Sequence, residues 1–290
     1  MPKPLISVGE LIDQSWDVFR ARLSDLLSIS GWLLVTAILF AIALAMYPSA
    51  SKLALGADLS VIESTGVLLF SFSRYIVTPI ISFWIYIALT KIIRAHFDQK
   101  TLSPKAAMLD VKPAFFPTLL TSVMVMLMVL LAIVIGFAPA AILATVGFLT
   151  NFSFIVIFAN LILVVGIFVS LFLSIKWVVY YFMAPYLTML DGTPAKLALA
   201  TSRQLIQGRF WAVLIRTVVP KLVFIIFGVF AMSIIAYLVG ILIDFSAGLN
   251  IDIQLRISTM TTTIVPILIV ILINPLLVIS DVLLLRSMRQ

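Results

Sequence analysis

The sequence predicts an all-α, polytopic membrane helix bundle with six transmembrane helices, and three observations support this fold class. The chain of 290 residues is 63% hydrophobic and 11% charged, with a mean hydropathy of +1.25. Soluble domains average about 45–50% apolar and about 25% charged residues, so a water-soluble globular enzyme is excluded. Six apolar stretches reach the roughly 20 residues that a helix needs to cross a bilayer. The strands of membrane barrels are shorter, about 9–11 residues, and alternate in polarity, so helices are favoured.

The six predicted spans are separated by short loops, and prolines lie close to several of their ends. In chain order the spans cover residues 26–47, 65–90, 115–138, 152–181, 211–243 and 261–285. The third span has an apolar tail to Leu149, and Pro48 and Pro185 follow the first and fourth spans. The first 25 residues contain four acids and no apolar core, so we expect no cleaved signal peptide.

Lysines and arginines lie mostly on one side of the predicted membrane, and this asymmetry predicts the orientation. Of the 19 basic residues, 16 lie on the side of both termini, Lys52 and Arg256 lie on the other side, and Arg74 falls within a span. Because short basic loops stay in the cytoplasm, we predict a multi-pass protein of the bacterial plasma membrane with both termini cytoplasmic. The same distribution explains the net charge of +7, so no nucleic-acid partner is expected.

Three cytoplasmic segments begin with residues that are typical of helix N-termini. Ser7 and Glu10 have the spacing of a capping box, while Ser103 and Thr193 each precede a proline suited to the first helical turn. Each segment is followed by two spans. We therefore predict one membrane domain over residues 1–290, built from three helix-hairpin units with short cytoplasmic amphipathic helices, at about 7–97, 98–192 and 193–290. Chance resemblance between the three segments is the alternative.

The first cytoplasmic helix has the clearest amphipathic pattern. Its apolar side chains follow helical spacing and form one predicted stripe, which consists of Ile12, Trp16, Phe19, Leu23 and Leu26. Such a helix either lies in the membrane interface with its tryptophan at headgroup depth or packs under the bundle. Lipid-recruited helices are usually strongly basic, whereas residues 1–25 contain four acids and three basic residues. Packing under the bundle is therefore favoured.

Arg74 is a candidate site residue because it lies nine residues into the predicted second span. A charge near the centre of a span costs at least about 2.5–3.5 kcal/mol on insertion scales, so such residues are often functional. One interpretation is a contact with an anion or a lipid headgroup in a pathway. The alternative is that Arg74 extends to the outer interface beside Tyr75.

Asp281 is a second candidate, because a carboxylate in the last span needs a cationic partner. Lys176, Arg216 and Lys221 are predicted to lie in the same cytoplasmic leaflet on the fourth and fifth spans. We predict an ion pair between Asp281 and at least one of these three residues. The pair would serve a proton- or ion-coupled pathway or, alternatively, fix the packing of the helices.

A third candidate is a basic surface formed by the cytoplasmic helices. Its predicted members are the cations that lie on or beside those helices, namely Arg20, Arg22, Lys105, Lys112, Arg203 and Arg209. Each lysine or arginine near an anionic leaflet contributes about 1 kcal/mol of attraction, so this surface would bind anionic headgroups or an acidic protein. The alternative is ordinary positive-inside topology, which needs no ligand.

Small residues and prolines predict how the later spans pack. Ala132, Gly136, Ala140 and Ala144 recur every four residues in the third span, which lets helices approach closely within the chain or in a dimer. Pro266 and the Asn274-Pro275 pair interrupt the backbone donors of the last span. These prolines predict a kink that acts as a gate or is only a bend.

The residue types needed for catalysis and metal binding are nearly absent. The chain has no cysteine and a single histidine, His96, which argues against a metal centre or a thiol nucleophile. No nucleotide-binding, zinc-protease or serine-hydrolase motif is present. We therefore predict no catalytic residue, no metal and no cofactor, and we do not expect an enzyme.

One part of the chain resembles a known class of proteins. Residues 184–192 read APYLTMLDG and lead into ALATS at 198–202 and GRFWAV at 208–213. With the VGEL sequence at 8–11, these stretches resemble poorly characterised bacterial six-span proteins related to the membrane domain of glycerophosphoryl diester phosphodiesterases. The phosphodiesterase domain itself is absent, so the resemblance implies a non-catalytic module close to lipid and no hydrolase activity.

Two functions remain open at this point. The first is a lipid-proximal scaffold or accessory module, whose partners would be membrane lipids, including anionic ones, and a partner protein or a second copy of the chain. The second is a transporter or channel for a small or amphipathic solute. A polar cavity that reaches both Arg74 and Asp281 would favour transport.

Overall fold

The structure is a computed structural model, and it describes residues 5–56, 58–245 and 251–289. It is 89% helical, with no strand among these residues, which confirms the all-α fold class. Six helical segments are long and apolar enough to cross a membrane, and they are Leu23–Met46, Val61–Phe97, Val111–Leu149, Ser153–Asp191, Phe210–Ile241 and Ile251–Arg289. The chain is a multi-pass membrane protein.

The helices are labelled in chain order. The first group contains α1 (Val8–Ala21), α2 (Leu23–Ser30), α3 (Leu33–Met46), α4 (Ala50–Leu55), α5 (Val61–Phe72) and α6 (Thr78–Phe97), with a π-helical turn at Ser73–Val77 before the last of these. The second group contains α7 (Pro104–Leu109), α8 (Val111–Leu149), α9 (Ser153–Tyr181) and α10 (Ala184–Asp191). The third contains α11 (Ala195–Ile206), α12 (Phe210–Phe245) and α13 (Ile251–Arg289).

A short helix followed by two spans occurs three times along the chain, which is the order that the three predicted units require. By its internal contacts, however, the chain forms two compact units. Unit 1 contains the described residues of Met1–Lys112 and Arg216–Met288, and unit 2 contains Pro113–Ile215 with Arg289. The origin of the three segments as repeats stays a prediction.

Several helices extend beyond the predicted spans. The third span, α8, is one continuous helix over Val111–Leu149 although Pro117 and Pro139 lie inside it. In lipid the alternative to a helical hydrogen bond is an unsatisfied polar group, so membrane helices continue through prolines that interrupt soluble ones. For the same reason α13 is one helix across Pro266 and Pro275, and it begins ten residues before the predicted start at residue 261.

Two of the three predicted helix caps are present. The Ser7 hydroxyl accepts a hydrogen bond from the Glu10 amide at 3.2 Å, and the Ser7 amide donates to the Glu10 carboxylate at 2.9 Å. These bonds hold the pKa of Glu10 below its ordinary value. The Ser103 hydroxyl accepts from the amide of Ala106 at 3.2 Å. The cap predicted at Thr193 is wrong, because Pro194 itself occupies the extended cap position and makes no side-chain cap bond.

The buried face of α1 differs from the predicted stripe. Leu11, Ser15, Val18 and Phe19 are its buried residues, whereas Leu23 is 42% exposed. The stripe was predicted as one continuous helix, but α1 ends at residue 21 and a new helix begins at residue 23. This break changes the direction of the face beyond the first helix.

Trp16 shows where α1 packs in unit 1. Its ring lies edge-on to Phe224 and Phe227 of α12, with centroids 6.1 and 5.5 Å apart. The tryptophan therefore contacts the fifth span, as the packing interpretation of this helix requires.

The small residues of α8 form a close contact with α9 inside unit 2. Ala132, Gly136 and Ala140 are buried as predicted, but Ala144 is exposed and Gly147 is buried instead. A straight helix has 3.6 residues per turn, so side chains spaced exactly four residues apart rotate slowly around the helix. After about three turns they no longer lie on the contact face. Across this seam the Gly136 and Gly166 backbones touch, which makes the small-residue pattern an intramolecular packing feature.

Reporter fusions test the predicted orientation. We expect fusions at Ser51, within α4, and at Asn151 to report the outer side, because the charge distribution predicts that these segments lie opposite the basic loops. Ser246 would serve for the third outer loop, but it lies outside the described residues, as does Lys3 among the cytoplasmic cations. A cytoplasmic signal from either fusion would contradict the charge-based orientation.

Candidate functional site

Asp281 makes an ion pair in the interior of unit 1. Its carboxylate is 6% exposed and lies 3.0 Å from the Lys221 ammonium, which is 24% exposed. The pair joins α12 to α13. Because both charges are largely removed from solvent, each depends on the other for stabilisation.

Arg216 and Lys176 are the other two cations predicted near Asp281. Arg216 donates its Nε to the backbone carbonyl of Ile6 at 2.6 Å, which ties the segment before α1 to α12. Lys176 lies on α9, in unit 2. In unit 1 the Asp281 carboxylate therefore joins α13 to α12 through its ion pair with Lys221.

Arg74 lies on an exposed face, within the π-helical turn at Ser73–Val77. The neighbouring Ser73 hydroxyl is buried without a hydrogen-bond partner. A π-helical turn adds a residue to the helix and often occurs at functional positions. Sequence reasoning could not detect this turn, because residues 73–77 carry no proline or glycine.

The predicted basic surface divides between the two units. Arg22 pairs with Asp25 at 2.8 Å and donates to the Leu102 carbonyl at 3.4 Å, so it connects the start of α2 to the segment before α7 in unit 1. Arg20, Lys105 and Lys112 are exposed in the same unit. Arg203 and Arg209 belong to unit 2, where Arg203 is exposed and Arg209 is half-buried.

A cleft of about 510 Å³ lies in unit 2 beside α11, and we refer to it as the α11 cleft. Its polar wall carries two cations, two amides and a phenol, namely Lys196, Arg203, Gln204, Gln207 and Tyr181. Its apolar part is formed by Met124, Met128, Leu199 and Ala200. The cleft thus combines positive charge and hydrogen-bond donors with an apolar wall.

Helical geometry places the two cations of the α11 cleft on one face. Lys196 and Arg203 are seven residues apart, so they lie two turns and about 10 Å from one another along the axis. The buried side chains of α11, which include Ala198, Ser202 and Ile206, lie on another face of the helix. Burial of that face directs the cations outward.

Hydrogen bonds fix the elements that surround the α11 cleft. The Ser202 hydroxyl donates to the Tyr180 carbonyl at 2.7 Å, which attaches α11 to the end of α9. The buried hydroxyls of Thr121 and Thr188 lie 3.0 Å apart and join α8 to α10, one turn from Met124. Gly192 ends α10 with a positive φ of 65°, a conformation that glycine adopts without strain and that turns the chain toward α11.

Sequence reasoning missed Lys196, Gln204 and Gln207 as site residues. Together with Arg203 they occupy positions 196, 203, 204 and 207, a spacing that indicates one polar helical face. The apolar wall could not be predicted, because Met124 and Met128 lie on α8, about 75 residues away in sequence.

The α11 cleft offers a ligand positive charge, hydrogen-bond donors and an apolar wall. Among the described residues, no group of three or more histidine, cysteine or acidic side chains is arranged to hold a metal ion. Comparisons with protein-family models, curated proteins and solved structures find no match for this chain. The resemblance of residues 184–213 to the six-span class described above stays a prediction.

Proposed function

We propose that the protein is a non-catalytic, lipid-proximal module of the bacterial plasma membrane that binds anionic phospholipid in the α11 cleft. One observation carries the proposal: Lys196 and Arg203 stand over an apolar wall formed by Met124 and Met128. A phospholipid has the same division, with a negative phosphate joined to acyl chains. Basic pockets on the cytoplasmic side of membrane helices are typical sites for such headgroups.

The polar side chains of the α11 cleft suit a glycerophospholipid. Lys196 and Arg203 would contact the phosphate, since ammonium and guanidinium groups make strong charge-assisted hydrogen bonds with its oxygens. Gln204 and Gln207 offer amides for glycerol and ester oxygens. Acyl chains would follow the methionines, whose flexible thioether side chains adapt to irregular apolar shapes.

The transporter alternative has less support. It requires a polar cavity that reaches both Arg74 and Asp281, and neither residue lines the α11 cleft, the cavity between α3 and α13 or the cavity between α12 and α13. The ion pair of Asp281 with Lys221 joins α12 to α13. This structural role explains an acid within the span without a transport pathway.

Removing the two cations of the α11 cleft tests the proposal. With Lys196→Gln and Arg203→Gln combined, we expect retention of phosphatidylglycerol in native mass spectrometry to fall by roughly thirtyfold. This corresponds to about 2 kcal/mol, or about 1 kcal/mol for each cation. The measurement compares the detergent-solubilised variant with the wild type across a lipid titration.

Lys105→Gln combined with Lys112→Gln is the matched control, because it removes two exposed cations that lie outside the α11 cleft. We expect this control to retain phosphatidylglycerol almost as the wild type does. Equal losses in the two double variants would refute a specific cleft and leave only general attraction to basic residues.

A further inference from the structure

A second cavity, of about 240 Å³, lies in unit 1 where α3 ends and α13 begins. The charge distribution predicts that this end faces outside, opposite the cytoplasmic termini. The cavity contains both signs of charge, because Asp252 and Arg256 stand one helical turn apart in its lining. Side chains at this spacing have Cβ atoms about 5–6 Å apart.

Arg256 is held in place by the backbone of α3. Its Nη1 donates to the carbonyls of Ala45 at 2.9 Å and Leu44 at 3.3 Å. These carbonyls belong to the last turn of α3, where the usual donor four residues ahead is missing and Leu44 also accepts from the Tyr47 amide at 3.3 Å. The guanidinium is therefore oriented before any ligand arrives, and its fork has five N–H donors in total.

Aromatic and hydroxyl groups complete the cavity. The rings of Tyr47 and Phe70 both line it and pack edge to face, with centroids 5.7 Å apart. Aromatic faces attract ammonium groups, and Asp252 attracts them electrostatically. Thr259, on the same side of α13, adds a hydroxyl next to Arg256.

We propose that this cavity binds a compact zwitterion in which an ammonium and a phosphate are separated by a two-carbon link. Arg256 contacts the phosphate, while Asp252 and the two aromatic rings hold the ammonium. This chemistry is that of the phosphatidylethanolamine headgroup and of free phosphoethanolamine. An anionic headgroup without an amine fits less well, because Asp252 repels it. The proposal is independent of the α11 cleft, which shares no lining residue with this cavity.

Asp252→Asn tests the proposal, because it removes the ammonium partner and preserves the side-chain shape. In detergent loaded with equal phosphatidylethanolamine and phosphatidylglycerol, we expect native mass spectrometry to show an about tenfold loss of phosphatidylethanolamine, since a hydrogen bond to a charged group is lost. Retention of phosphatidylglycerol should stay unchanged. Asp58→Asn is the matched control, since Asp58 is exposed at the same end of unit 1 and lies outside the cavity lining.

A soluble probe separates the two sources of the zwitterion. Phosphoethanolamine added to delipidated protein raises the melting temperature if the free solute binds, and this rise should disappear in Asp252→Asn. A response that depends on Asp252 in either experiment supports the cavity as a zwitterion site, and the responding probe identifies its source. If neither phosphatidylethanolamine retention nor the melting temperature depends on Asp252, the proposal is overturned.

A second variant covers the case in which Asp252→Asn is poorly folded. Leu53 lines the cavity from α4 and is 50% exposed, so Leu53→Trp obstructs the cavity and keeps both charges. We expect it to lose phosphatidylethanolamine as well, and unchanged retention in this variant would also contradict the proposal. The Lys196 and Arg203 double variant should keep phosphatidylethanolamine, so the two binding proposals fail independently.

Discussion

Replacing Asp281 by alanine is expected to destabilise the protein by about 3–5 kcal/mol, because Lys221, in a largely buried position, would lose the carboxylate that balances its charge. The two groups lie 3.0 Å apart and join α12 to α13 in unit 1. Thermal unfolding of the detergent-solubilised variant, followed by circular dichroism, measures the effect. We expect a clear decrease in the melting temperature of this variant.

Asp110→Ala is the control for this prediction. Asp110 also pairs with a lysine, Lys91, at 2.6 Å, but its carboxylate is 58% exposed. Lys91 is 13% exposed, and it also donates to the backbone carbonyl of residue 110 at 2.5 Å. Because alanine keeps that carbonyl and the lost carboxylate is exposed, we expect a smaller effect than at Asp281. Melting temperatures that decrease equally in the two variants would contradict the importance of burial.

A double variant separates charge from packing at the same position. Asp281→Leu combined with Lys221→Met removes both charges and keeps apolar volume. Because buried ion pairs can often be replaced by apolar residues at little or no cost, we expect this double variant to recover most of the stability. Failure to recover would show that one of the two residues makes a further contact that the protein needs.

Replacing Gly166 by alanine is the second change with a large expected effect. A Cβ atom there would lie 2.0 Å from the Gly136 carbonyl oxygen, and one at Gly136 would lie 2.4 Å from the Gly166 oxygen. The obstructing atoms are backbone, so α8 and α9 must separate. Overpacking of this kind costs about 1–3 kcal/mol and sometimes more, and valine should be worse than alanine.

Gly240→Ala is the matched control for Gly166→Ala. A Cβ atom at Gly240 would meet no neighbouring atom within 4 Å. Alanine favours helix over glycine by up to about 1 kcal/mol, so this control should raise the melting temperature in detergent. The same chemical change is thus expected to have opposite signs at the two positions. A rise in both would mean that the seam between α8 and α9 is looser than these distances indicate.

The number of spans could be predicted from sequence because apolar length determines it. The helix ends could not, since α8 and α13 continue through prolines that would end helices in water. The error at Thr193 has a local cause: Pro194 takes the cap position, so the helix begins at Ala195. Runs of apolar residues therefore predict which segments are helical better than single prolines or hydroxyl residues predict where each helix begins and ends.

The sites divide in the same way. Asp281 could be selected from sequence because an acid within a span needs a partner, but three lysines and arginines were equally plausible. The α11 cleft required tertiary structure, because the methionines of α8 meet Lys196 and Arg203 only after folding. Charge alone selected Arg203 and missed Lys196. The cavity between α3 and α13 was missed for a similar reason, since Arg256 meets the end of α3 across more than 200 residues of sequence.

Photo-crosslinking is the most direct test of lipid binding in the α11 cleft. Phosphatidylglycerol with a photoactivatable group on one acyl chain would be incorporated with the purified protein into nanodiscs, irradiated, and located by peptide mass spectrometry. If phosphatidylglycerol binds in the α11 cleft, the adducts should be concentrated at Met124 and Met128. These adducts should be lost when Lys196 and Arg203 are both changed to glutamine. Adducts spread over the exposed apolar faces of α8 and α9, and unchanged in that variant, would contradict binding in this cleft.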